Sequence, residues 1–120
     1  MKNALNWFEI PVRDMDRALA CYEALLGEKL RRETFGGLPY GVFPYEAPGT
    51  SGALVQDSRR TPGGGTLVYL NADGKLDDVL ARAAEAKATV VLPKTPIGPD
   101  GFIAILVDTE GNQVGFNSTT

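Results

Sequence analysis

The sequence predicts an α+β fold: two tandem βαβββ modules whose mixed sheets curl around a shared concave cavity. Three observations predict it. Residues 5–12 (LNWFEIPV) alternate like a half-buried strand and run straight into RDMDR, the start of an amphipathic helix. The same strand-then-helix order returns about sixty residues later, and a repeat at that period is a property of the whole architecture. Between the copies, DSRRTPGGG at 57–65 has the composition of a flexible connector. The modules then cover about 3–57 and about 66–118, with 58–65 as linker, inside one domain of 120 residues.

The elements follow in order. In the opening strand the period of two puts Trp7 and Glu9 on one face and Phe8 and Ile10 on the other. Asp14 is the expected N-cap of the first helix, and Asp16 adds negative charge to its first turn. Met15, Ala18, Leu19, Tyr22, Leu25 and Leu26 recur at helical spacing, and Gly27 is the expected stop. Strands are expected at 29–34, 40–45 and 52–56, separated by the turns Gly36-Gly37 and Pro48-Gly49. In the second copy a strand is expected at 66–72, and Asp73 or Gly74 opens a helix with the stripe Leu76, Val79, Leu80, Ala83, Ala84. Strands at 89–92, 102–107 and 113–117 complete it, with the proline-rich loop 95–101 and the turn DTEGN between them.

Composition narrows the function. A net charge of −3 without a Lys/Arg run makes nucleic acid and anionic membranes poor partners, and Arg31-Arg32 and Arg59-Arg60 read as solvated loop or edge charges. No stretch is apolar enough to span a membrane, and the N-terminus lacks signal-peptide features. The single cysteine, Cys21, has no internal partner, so a cytoplasmic, reducing setting is expected. The chain contains 0 histidines, which removes the commonest metal ligand and excludes Ser–His and Cys–His nucleophile systems.

With its opening strand followed by VRDMDRALACYEALLG and its closing DTEGNQVGF, the chain resembles the vicinal oxygen chelate superfamily, which holds glyoxalase I, bleomycin-resistance proteins and extradiol dioxygenases. The first segment matches that family's strand–Asp–x–x–Arg–x–x–x–x–Tyr–x–x–x–x–Gly pattern. The second matches its D-P-x-G-N turn, with Thr109 where proline is usual. The resemblance implies paired βαβββ modules, a homodimer, and a divalent metal held by one side chain from the first and one from the last strand of each module. Carried onto this sequence, those positions fall at Trp7, at Gly52 or Ala53, at Leu67 and at Gly115. None supplies a ligand atom, so no metal or other cofactor is expected.

On the concave face the expected lining is Trp7, Glu9, Leu67, Tyr69, Gln113, Gly115 and Asn117, with Tyr40 and Gln56 from the first module. Aromatic walls with few polar groups suit a small organic ligand. Trp7 either lines that cavity or fills it as core. Glu9 has three readings: a structural partner of Arg13, Arg17 or backbone amides, a general base of raised pKa working with Tyr40, Tyr69 or Lys94, or an acceptor for a cationic or hydroxylated ligand. The loop 93–101 is either a cover over the cavity or a plain crossover. The leading expectation is a protein that binds and sequesters a small aromatic or hydrophobic compound. The alternatives are a glyoxalase-like lyase, isomerase or dioxygenase using Glu9, and a non-catalytic interaction or regulatory domain.

Overall fold

The alternation of the opening strand is realised in β1 (Trp7–Val12), where Ile10 and Val12 are buried and Trp7 faces outward. A computed structural model describes residues 7–120, so the expected start of this strand at Leu5, and of the module at residue 3, lies outside the described residues. α1 (Met15–Leu26) starts where Asp14 Oδ1 accepts a hydrogen bond from the Arg17 amide at 3.1 Å. It stops at Gly27, whose φ of 69° is left-handed and whose amide donates to the Glu23 carbonyl at 2.9 Å. The Arg82 guanidinium lies where a Gly27 Cβ would stand, so a cation closes the negative end of the helix.

Three strands follow, β2 (Arg31–Phe35), β3 (Leu38–Val42) and β4 (Ser51–Gln56). They form a sheet of order β1-β4-β3-β2, in which β1 and β4 run parallel and the other neighbours antiparallel. The second sheet repeats that order with β5 (Tyr69–Asn71), β6 (Thr89–Pro96), β7 (Phe102–Val107) and β8 (Gln113–Ser118), arranged β5-β8-β7-β6. One sheet face of each module packs on its helix, and a continuous core runs from Ile10, Tyr22 and Leu54 to Leu76, Val114 and Phe116. The sheets stay open rather than closing into barrels. No helix among the described residues is long and apolar enough to cross a membrane.

The second module departs from expectation at three places. β5 has three residues rather than seven: the Val68 carbonyl still accepts the Gly115 amide of β8 at 2.8 Å, and 66–67 lie outside the strand, facing β1 across a gap. α2 (Leu76–Ala81) begins after Lys75, without a side-chain cap, and ends early: the Arg82 amide is shared among the carbonyls of Asp78, Val79 and Leu80, and turns continue to Lys87. Ala84 is therefore exposed, and Ala86 takes the buried place. β6 runs on through Pro93 and Pro96 to the start of the expected loop. As the edge strand among the described residues, it pairs on one side with β7, and proline needs no donor on the other.

Candidate functional site

Three segments converge on a cavity of about 780 Å³ between the modules: β1 from Trp7 to Pro11, the connector from Gly63 to Val68, and Asn112-Gln113 at the start of β8. Asn112 stitches them together. Its Oδ1 accepts from the Gly63 amide at 2.7 Å, and its Nδ2 donates to the Pro11 carbonyl at 2.7 Å and to Asp108 Oδ2 at 3.2 Å. Glu110 anchors the same turn to the first module. Its carboxylate accepts the amides of Arg13 and Asp14 at 2.8 and 3.0 Å and both forks of Arg17 at 2.6 and 3.0 Å. Burial works to raise the Glu110 pKa, but the Arg17 guanidinium and the two amides override it and hold the carboxyl at about 2.

Trp7, Glu9, Leu67 and Gln113 line this cavity together. Trp7 is 42 % exposed, so it walls the space instead of filling a core. Its indole Nε1 donates to Glu9 Oε2 at 3.2 Å, which orients the ring. The Glu9 partner is Arg60 of the linker, whose Nη1 donates to Oε1 at 2.6 Å; it is neither Arg13 nor Arg17. Partial burial tends to raise the Glu9 pKa, yet hydrogen bonds from Arg60, Trp7 and Tyr40 bring it below the ordinary value. The expectation of a base with raised pKa is thus corrected: three donors stabilise the charged form. Tyr40 stands beside the carboxylate, and its own pKa is raised by burial and then by the Glu9 charge. Arg59 lies alongside, with Nε and Nη2 each 3.0 Å from an Asp57 oxygen, and these contacts lower the Asp57 pKa to about 2. Arg59 and Arg60 are thus exposed linker charges, as expected, and each is also paired with a carboxylate.

The other expected residues lie elsewhere. Tyr69 and Asn117 line a second hollow of about 510 Å³ on the open face of the second sheet, with Asn71, Ile97 and Ile103. There Asn117 Nδ2 donates to the Phe102 carbonyl at 3.1 Å. Gln56 accepts the Met15 amide at 2.8 Å and so completes the N-terminus of α1, outside both hollows. Lys94 pairs with Asp77 at 3.2 Å and sits over the Phe102 ring, remote from Glu9. Ile97 brings the loop 93–101 to the rim of the second hollow. Asn112 was legible only as part of a turn motif. Nothing in the sequence marks Arg60 as a partner of Glu9, 51 residues away.

The family's metal positions can be tested against these side chains. Ala53 is the register partner of Glu9, whereas a side chain at Gly52 would run into the Phe8 ring. Gly115 pairs with Tyr69, and the Tyr69 ring covers the place where a Gly115 Cβ would stand. Trp7, Ala53, Leu67 and Gly115 carry no donor atom suited to a metal, so the residues do not fit the ion. No group of three or more His, Cys, Asp or Glu side chains is placed to hold a metal among the described residues.

The model of the Glyoxalase/Bleomycin resistance protein/Dioxygenase superfamily matches residues 4–116. The fold is similar to TnmS3, an antibiotic binding protein from Streptomyces sp. CB03234 (26% identity, TM-score 0.69, covering 98% of this chain and 97% of that one). It is also similar to a glyoxalase/bleomycin resistance protein from Streptomyces sp. CB03234 (28% identity, TM-score 0.71, 94% and 99% covered). A family enzyme from Burkholderia phytofirmans PsJN shares the fold at 16% identity (TM-score 0.70, 96% and 98% covered). Among curated proteins none matches the sequence.

Proposed function

The chain belongs to the Glyoxalase/Bleomycin resistance protein/Dioxygenase superfamily, and from that premise we propose that it binds and sequesters a small aromatic or hydrophobic compound. The observation that carries this reading is the half-enclosed cavity of about 780 Å³ with Trp7 and Leu67 on its walls and Gln113 as a polar contact. That volume lies inside the roughly 300–1,000 Å³ typical of small-molecule sites. An interaction domain with a solid interior would have no such space. The likeness to TnmS3, an antibiotic binding protein, supports the same reading. On this view the family's metal site has been lost, and indole, methyl and aromatic surfaces stand in its place.

A lyase, isomerase or dioxygenase reading would need Glu9 as base. A carboxylate held ionised by Arg60, Trp7 and Tyr40 is a weak one. A homodimer is part of the proposal, because Tyr69, Val91 and Ile97 leave an exposed apolar surface on the second module. The single buried cysteine fits a cytoplasmic setting.

The chain's single tryptophan, Trp7, lies on the cavity wall, so its fluorescence reports occupancy directly. Titration with planar aromatic dyes is expected to quench it saturably at micromolar concentration, without turnover. Calorimetry on Trp7→Ala is expected to show affinity weakened about tenfold, the scale of one lost aromatic stacking contact. Absence of saturable quenching across neutral, cationic and anionic dyes would refute the binding reading.

A further inference from the structure

Among the described residues one charged side chain, Glu9, lines the cavity between the modules, and the arginine that matches it stands outside that lining, on the linker. We infer that Arg60 is the specificity-determining residue of this site: by occupying Glu9 it makes the cavity select uncharged planar compounds over organic cations. The inference rests on the small-molecule reading above and names its ligand class.

A carboxylate on a partly sheltered wall attracts cations strongly, because little water intervenes. Here that attraction is already satisfied. Glu9 Oε1 receives Arg60 Nη1 at 2.6 Å and Oε2 receives the Trp7 indole at 3.2 Å. Arg60 is itself held in place: its amide donates to the Asp57 carbonyl at 3.0 Å, and its Nε lies 3.6 Å from Asp57 Oδ2. Asp57 in turn holds Arg59. Two carboxylates and two guanidiniums close as a neutral set, so this cluster presents no net charge for a ligand to answer. A cation entering beside Glu9 would meet the Arg60 charge a few ångströms further on, or would have to displace it. An uncharged ring has only to stack on Trp7, whose indole is aligned by the same carboxylate.

The test compares two probes of one shape: acridone, which is neutral, and the N-methylacridinium cation, each followed by Trp7 quenching. The wild type is expected to bind acridone at least about tenfold tighter than the cation. Arg60→Gln, which uncovers the Glu9 charge, should move the cation-to-neutral affinity ratio toward the cation by about tenfold. Arg60→Lys, which keeps the positive charge, should retain the wild-type ratio, and Arg60→Gln combined with Glu9→Gln should abolish the shift. A wild-type preference for the cation, an unchanged ratio in Arg60→Gln, a shifted ratio in Arg60→Lys, or a shift that survives in the double variant would each overturn the inference and leave small-molecule binding standing. If neither probe nor any other dye binds, the binding reading falls and the inference with it.

Discussion

Replacing Glu110 by glutamine removes the charge that ties the DTEGN turn to the first module, and the structure sets the size of the effect. The Glu110 side chain is fully inaccessible, and its partner Arg17 is half exposed. Its native pKa of about 2 compares with an ordinary value of 4.5. At about 1.4 kcal/mol for each tenfold change in proton affinity, the ionised form is favoured in the fold by about 3 kcal/mol. The pKa is depressed on folding, so this stability is present above about 4.5 and is lost as pH falls toward about 2. Glutamine still offers one acceptor to the Arg13 and Asp14 amides but turns an N–H toward Arg17. Urea denaturation at about pH 7 should therefore show Glu110→Gln less stable by about 2–3 kcal/mol. The gap should narrow below about pH 4.5 and nearly close near pH 2. A gap that keeps its size down to about pH 3, or no gap at neutral pH, would refute the reasoning.

Three other outcomes follow from the packing. Tyr22 is fully buried and donates to Asp108 Oδ2 at 2.7 Å, so Tyr22→Phe should lower stability by about 1–2 kcal/mol in denaturant titration. Gly115→Ala drives a methyl into the Tyr69 ring and should cost about 1–3 kcal/mol. Combining it with Tyr69→Ala, which clears the space, should recover most of that loss, and failure to recover would show that the ring is not the obstacle. Cys21 is 1 % exposed and burial raises its pKa, so a thiol reagent should modify it slowly in the native protein and rapidly once denaturant unfolds the chain.

Local chemistry was largely legible. Asp14 and Gly27 bound α1 as their side-chain and backbone properties require, and β7 matches its apolar run of 102–107. Less legible were the ends of β5, α2 and β6. Regular pairing of β5 stops short of 66–67, which face the cavity, α2 unwinds where its carbonyls share one amide, and β6 keeps its prolines because no described strand pairs with its outer edge. At the site, alternation correctly put Trp7 beside Glu9, and Leu67 and Gln113 join them across the gap. It could not separate Tyr69 and Asn117 into their own hollow, because residues on one sheet face share a direction without sharing a space. Gln56 faced a similar choice and went to the N-terminus of α1, whose amides lack intrahelical partners.

By itself the sequence determined the repeated module, the capped first helix, the alternation that puts Trp7 and Glu9 on one face, and the lack of ligand atoms at the family's metal positions. All of these depend on residue identity and on spacings of two or about four along the chain. Only the tertiary structure decided that Arg60 neutralises Glu9, that Asn112 and Glu110 join the modules, and that the open face divides into two hollows. Those pairings bring together groups roughly 50 to 100 residues apart, and what settles them is which buried or half-buried charge and backbone group finds its partner once the core has closed.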